Sequence, residues 1–88
     1  MNKYLAEFTG ALLFVYVILA TGNPIAIAIA LGLAIMVTAP ISGGHINPVV
    51  SIVMSVLGKL PRNELLPYVA SQVAGGLFAL ELFKRVKV

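Results

Sequence analysis

The sequence predicts an all-α membrane protein with three transmembrane helices and one re-entrant half-helix. Of its 88 residues, 60% are hydrophobic and 10% are charged, whereas soluble domains are roughly 45–50% apolar. The mean hydropathy is +1.05. No Asp, Glu, Lys or Arg occurs from Phe8 through Gly58, so this stretch can lie in a bilayer without an ionised side chain. A polar break within it, at 40–47, predicts backbone that enters the membrane without spanning it.

The first two helices follow from length and turn chemistry. Residues 4–21 would cover about 27 Å as a helix, close to the hydrocarbon core of about 30 Å. Asn23 is expected to cap the next helix and Pro24 to be its first residue, after a tight turn. This second helix is predicted over 24–39, ended by Pro40. Small residues on one face predict where it packs: Ala26, Ala30 and Ala34.

The polar break predicts the re-entrant element. We expect a loop over 40–47, extended at 42–46, and a half-helix over 48–57. Such a half-helix covers only about 15 Å, half of the hydrocarbon core, so it would start near the membrane centre and return to the side it came from. Asn63 is expected to cap the last helix, predicted over 64–83. The chain is thus predicted to be a single transmembrane domain, 1–88.

The polar residues of the loop indicate a pore. Non-helical backbone at this depth must be buried in protein or line a wet cavity, because an unpaired polar group in lipid costs several kcal/mol. Asn47 is expected to cap the half-helix and Pro48 to open it, with the positive end of the helix dipole directed at the membrane centre. The Asn47 amide would then donate to water or a hydroxyl. We expect an acceptor ladder from the carbonyls of four residues: Gly43, Gly44, His45 and Ile46.

Residues 42–51, S-G-G-H-I-N-P-V-V-S, resemble the first Asn-Pro-Ala loop of the aquaporin and glycerol-facilitator family. The segment A-E-F-T-G at 6–10 is similar to that family's opening helix, A-L-G-L-A at 30–34 to its second, and residues 66–75 to its third. The resemblance implies a bundle of two inverted repeats, each with three spanning helices and a half-helix, around a water or glycerol pore. The resemblance covers nearly the whole chain, and the chain matches one of the two repeats.

Four positions depart from the pattern or define its filter. Val49 stands where the family motif has alanine, and Ser51 where the first loop usually has threonine. Val50 occupies the position at which the second repeat of the family carries its filter arginine. Leu31 matches the second-helix filter position, where an aromatic residue favours narrow water pores. The resemblance therefore implies a filter without an arginine or an aromatic ring.

One repeat lines half of a pore, so the resemblance implies a partner. Because the family's repeats are inverted, a second copy would have to insert in the opposite orientation. The six basic residues divide evenly between the two sides, which gives the positive-inside rule little to act on: Lys3, Lys59 and Arg62 against Lys84, Arg85 and Lys87. We expect dual topology, an antiparallel homodimer as the pore unit and, from the resemblance, four dimers per assembly, in a cell or inner membrane.

Each polar candidate has a second interpretation. Glu7 is either a proton-coupling group or, as the resemblance favours, a buried acceptor that braces the N–H groups of the loop. Gln72 either bonds the loop or bridges helices. His45 either gates by titration or is held by its own ring hydrogen bonds, which we favour. Glu7 also interrupts the first apolar run, so we expect no cleaved leader.

Composition excludes several function classes. Without cysteine and with one histidine, the sequence predicts no disulfide, metal site or cofactor, and no nucleophile–base pair indicates an enzyme. The basic residues form no stripe with aromatics that would indicate nucleic acid. We expect a passive channel for water and small neutral solutes such as glycerol. The alternatives are a small dual-topology transporter coupled through Glu7 and a non-conducting membrane interaction partner of another channel.

Overall fold

A computed structural model describes residues 1–86 as four helices and no strand within that range. The helices are α1 (Lys3–Thr21), α2 (Pro24–Ser42), α3 (Pro48–Leu57) and α4 (Arg62–Val86). Helices α1, α2 and α4 are long and apolar enough to cross a membrane, whereas α3 has only 10 residues. The predicted fold class, an all-α membrane protein with three spanning helices and one half-helix, is confirmed.

Helix α1 is the centre of the bundle, because it packs against both α2 and α4, while α3 packs on α4. Small residues form these contacts. On α2, Ala30 and Ala34 of the predicted packing face are buried and Ala26 is half-buried; on α4, Gly75 and Ala79 are buried. In a lipid solvent, small residues let backbones approach closely and gain van der Waals contact, which larger apolar side chains would prevent.

The turn between α1 and α2 follows the predicted chemistry. Gly22 ends α1 with a left-handed φ of 57°. The Asn23 side-chain oxygen accepts hydrogen bonds from the N–H groups of Ile25 and Ala26, both at 2.9 Å, and Pro24 is the first residue of α2. The turn therefore satisfies two of the N–H groups that a helix start leaves unpaired.

The prediction that Pro40 ends α2 is wrong. The helix continues to Ser42, and Gly43 ends it with a φ of 92° while its N–H donates to the Ala39 carbonyl at 3.0 Å. A proline in the last turn removes only its own N–H from the helix ladder. The Ser42 hydroxyl donates to Glu7 of α1 at 2.6 Å, and this contact holds the final turn in place.

Helix α4 also differs from its predicted range, 64–83, at both ends. It begins at Arg62, so Asn63 lies inside the helix and does not cap it. The Pro61 carbonyl accepts a hydrogen bond from the Glu64 N–H at 2.9 Å. The first turn of α4 is therefore closed onto Pro61, the residue before Arg62. The carbonyl of Pro61 thus pairs one of the N–H groups that the helix start leaves without an intrahelical partner.

Gly75 is the point where α4 lies against the backbone of α1. A Cβ atom at Gly75 would overlap the Phe8 carbonyl oxygen and lie 3.2 Å from the Cβ of Ala11. At the neighbouring Gly76, the nearest atom to an added Cβ would be the Cγ2 of Val15, at an ordinary 3.5 Å. The two adjacent glycines therefore differ in how much space surrounds them.

Gly75→Ala is expected to lower the free energy of unfolding by about 1–3 kcal/mol, since the helices must separate to admit the methyl group. Thermal unfolding in detergent micelles, followed by circular dichroism, measures this loss. Gly76→Ala is the matched control and is expected to leave stability unchanged or slightly higher, because alanine is the better helix former. Equal destabilisation by both variants would contradict a close α1–α4 crossing at Gly75.

Candidate functional site

The loop between α2 and α3 is tightly curved. The predicted extended backbone at 42–46 is wrong, because Ser42 belongs to α2 and three residues of the loop have left-handed φ values: Gly43 at 92°, Gly44 at 66° and Ile46 at 60°. A β-branched residue rarely adopts this conformation. Strong contacts must therefore hold Ile46, and the first of them involve Glu7.

Glu7 is fully buried and collects four hydrogen bonds. One carboxylate oxygen, Oε2, accepts from the Ser42 hydroxyl at 2.6 Å and from the His45 N–H at 3.1 Å. The other, Oε1, accepts from the Ile46 N–H at 2.8 Å and from Gln72 Nε2 at 2.8 Å. Since all four contacts are donors, they suit a carboxylate, which only accepts and has about four lone-pair sites. Glu7 bends the loop around itself.

Helix α4 supports the loop with two buried side chains. Gln72 donates from Nε2 to Glu7 and to the Ser51 hydroxyl oxygen at 2.9 Å, and its Oε1 has no hydrogen-bond partner among residues 1–86. Tyr68 donates its hydroxyl to the Ser42 carbonyl at 2.7 Å. The Tyr68 ring also lies against the imidazole of His45, with 5.1 Å between centroids. Residues four apart on a helix share a face. The spacing of Tyr68 and Gln72 could therefore have indicated that both side chains face the loop.

Ser51 connects the half-helix to this support. Its side chain is fully buried, and its hydroxyl lies 2.7 Å from Nδ1 of His45. Together with the contact from Gln72 and the contacts of Glu7, this closes a ring of hydrogen bonds across four elements: α1, the loop, α3 and α4. We call Glu7, His45, Ser51 and Gln72 the loop anchor. The sequence identified Ser51 only as a departure from the family pattern. It did not predict that Ser51 links His45 to Gln72.

The start of α3, which we call the α3 tip (residues 47–50), has a free donor. The Asn47 side-chain oxygen accepts from the Val49 N–H at 2.8 Å, and Pro48 occupies the first helical position. The Asn47 amide NH₂ has no partner among residues 1–86. Asn47 is exposed, Val49 is 64% exposed and Val50 is half-buried. This tip can donate to water or a hydroxyl, and the positive end of its dipole disfavours cations.

The remaining predicted residues have packing contacts. Leu31 is half-buried and packs against the cluster of Ala11, Ala34 and Ile46. The Ile46 side chain is buried against α1, and a Cβ atom on Gly10 would overlap its Cδ1. Of the predicted site residues, three are hydrogen-bonded directly to Glu7: His45, Ile46 and Gln72. The side chains of Leu31, Val49 and Val50 lie outside the loop anchor.

Two cavities flank the loop. The tip cavity, of about 280 Å³, is lined by Asn47, Pro48 and Gln72 together with apolar residues of α1 and α4. The loop-side cavity, of about 510 Å³, is lined by Gly43, His45 and Tyr68, with charged residues at its edge: Lys3, Lys59 and Glu64. The loop lies between them, so its polar groups reach both cavities. Within residues 1–86, no group of three or more His, Cys, Asp or Glu side chains is placed to hold a metal ion.

Comparison with known proteins gives a consistent set of relatives. The sequence profile of the major intrinsic protein family matches residues 1–88. Glycerol uptake facilitator protein-like 6 of Lactiplantibacillus plantarum is 39% identical over 88 residues, covering 90% of this chain and 41% of that protein. Aquaporin Z of Brucella melitensis is 38% identical over 94 residues, with the same coverage. Aquaporin-8 of Mus musculus is 48% identical over 58 residues, 66% of this chain and 22% of that protein. The chain spans about two fifths of the length of the bacterial relatives.

Glu7→Gln is expected to release the loop, because an amide has one acceptor oxygen and would place its own donors against the N–H groups of the loop. Hydrogen bonds to charged groups contribute about 1.5–3 kcal/mol, so the His45 and Ile46 amides should exchange with solvent at least about tenfold faster. Hydrogen exchange measured by NMR in micelles tests this.

Glu64→Gln is the matched control for that substitution. Glu64 pairs with Lys3 at 2.8 Å near the surface and makes no contact with the loop N–H groups. Its variant should leave the exchange of both loop amides unchanged. Unchanged exchange in Glu7→Gln would show that the carboxylate does not hold the loop.

Proposed function

Because the chain belongs to the major intrinsic protein family, we propose that it lines one half of a passive channel for water and small neutral solutes such as glycerol. Family membership and the three spanning helices confirm the predicted location as an integral, multi-pass membrane protein. They also agree with a transport role. Water and glycerol enter the proposal because relatives are named aquaporins and a glycerol uptake facilitator.

The α3 tip is the observation that carries the proposal. A helix of 10 residues covers about half of the hydrocarbon core, so in the proposed pore α3 starts near mid-membrane and returns to the side it came from. Asn47 caps it with its oxygen and keeps its NH₂ group for a solute. A fixed donor beside a positive dipole end suits single-file passage of neutral molecules that accept hydrogen bonds, and it opposes cations.

The contacts of Glu7 favour a channel over a proton-coupled transporter. A coupling carboxylate has to take up and release a proton during transport. Both oxygens of the fully buried Glu7 side chain are already engaged in holding the loop, since they accept from three N–H groups and from the Ser42 hydroxyl. The proposal therefore assigns Glu7 a structural role.

The other half of the pore is proposed to be lined by a second, antiparallel copy of the chain. One face of α3 is strongly exposed, with Val49 at 64%, Val53 at 55% and Val56 at 83%. This apolar face is available to a partner in addition to lipid. The even division of basic residues permits both orientations in one membrane, and an isologous contact would bring two α3 tips together on a two-fold axis. Four such dimers per assembly complete the proposal.

Osmotic shrinkage of liposomes that contain the purified 88-residue chain tests the channel. We expect water permeability above that of empty liposomes, and Val49→Trp should reduce it to the empty-liposome level, because the indole would fill the space where the two tips meet. Leu77→Trp, on the 59% exposed side chain of α4, is the control and should conduct like the wild type.

Each alternative leaves a different result in this assay. No permeability above empty liposomes would refute a channel built from this chain alone, and permeability that appears only when another family member is added would favour the interaction partner. Solute uptake that requires a pH gradient would favour the transporter. Equal water permeability of Val49→Trp and wild type would show that the α3 tip does not line the water pathway.

Dual topology is tested with single cysteines in this cysteine-free chain. Asn63→Cys and Thr21→Cys are both exposed and lie near opposite ends of the spanning helices. A membrane-impermeant thiol reagent applied to intact cells should label each variant in part, and the remainder should react only after the membrane is opened. Labelling of one variant completely and the other not at all would contradict the antiparallel dimer.

A further inference from the structure

The Ser51 hydroxyl has a single hydrogen-bond acceptor within reach among residues 1–86. The Ser51 oxygen lies 2.9 Å from Gln72 Nε2 and 2.7 Å from His45 Nδ1, and the side chain is fully buried. Gln72 Nε2 is a donor only, so it cannot accept that proton. Among residues 1–86, His45 Nδ1 is the only acceptor in contact with the Ser51 hydroxyl.

The orientation of the Gln72 amide is fixed independently. Nε2 lies 2.8 Å from Glu7 Oε1. Exchanging the amide oxygen and nitrogen would place two acceptor oxygens against each other at that distance, with no proton between them. Glu7 therefore determines that Gln72 donates to Ser51, and Ser51 must donate onward to His45.

We infer that Ser51 is a positioning residue: its hydroxyl proton holds His45 as the neutral tautomer protonated at Nε2, which directs a hydrogen-bond donor towards the loop-side cavity. With the proton on Nδ1 instead, both His45 and Gln72 would donate to the Ser51 oxygen, and the buried Ser51 proton would be left without an acceptor. This inference rests on the proposed function, since the donor matters only if solutes pass the loop.

The surroundings of Nε2 agree with this assignment. Nε2 has no hydrogen-bond partner among residues 1–86, and His45 and Gly43 both line the loop-side cavity. A Cβ atom on Gly43 would lie only 3.3 Å from Nε2, so the glycine leaves this side of the ring uncovered. The Tyr68 ring packs against the imidazole and limits its rotation. The ligand class is a neutral molecule with an acceptor oxygen, such as water or a polyol.

The tautomer can be read directly by ¹⁵N NMR of the imidazole nitrogens, since His45 is the only histidine. In the full chain in micelles at neutral pH, the Nε2–H form should exceed the Nδ1–H form by at least about fivefold, as expected for an otherwise orphaned hydroxyl. Ser51→Ala should lose this preference, and Ser51→Thr, which keeps the hydroxyl, should retain it.

Ser55→Ala is the matched control, because it makes the same truncation at a buried position one turn along α3. It should leave the tautomer ratio unchanged. An equal mixture or an Nδ1–H form in the wild type would overturn the inference, and this measurement needs no variant to fold. An unchanged ratio in Ser51→Ala, or an equal loss in Ser55→Ala, would also overturn it.

The spectra do not depend on a conducting channel. If liposomes conduct while wild-type His45 lacks the Nε2–H preference, the inference alone fails. If the preference is found while liposomes stay impermeable, the proposed function alone fails.

Discussion

The four hydrogen bonds accepted by the Glu7 carboxylate are the interaction on which the site depends. A curved loop presents backbone N–H groups that cannot pair with one another, and in a membrane no bulk water is available to pair with them. Glu7 supplies a compact acceptor from α1 for two of these N–H groups and for side chains of α2 and α4. Loop curvature, the start of α3 and the position of His45 all follow from this contact.

The spanning helices serve this arrangement by approaching each other closely. Gly10 leaves space for the Ile46 side chain, and Gly75 brings α4 against the backbone of α1. Only at such short separations can Gln72 reach Glu7 across the bundle. Small residues therefore determine the hydrogen bonding indirectly, because larger side chains at these positions would move the donors out of reach.

Sequence patterns predicted the fold well and the site in part. Helix length, apolar composition and the Asn23 turn predicted the spanning helices, because these signals are local. The direction of the loop backbone was mispredicted as extended, since it is set by Glu7, which is 38 and 39 residues away from its two N–H donors. The hydrogen bonds of Ser51 and Tyr68 were missed for the same reason: their partners lie on other elements, and no local spacing identifies them.

The distance along the chain between Glu7 and Gln72 also has a consequence for biogenesis. The two residues are 65 positions apart and belong to the first and last helices. Because synthesis runs from the N-terminus, α1 is made before α4, and the Glu7 carboxylate lacks its Gln72 donor until α4 exists. The ring of hydrogen bonds through Glu7, His45, Ser51 and Gln72 can therefore close only after α4 has packed against α1, which makes its closure a later step of assembly than the pairing of α1 with α2 requires.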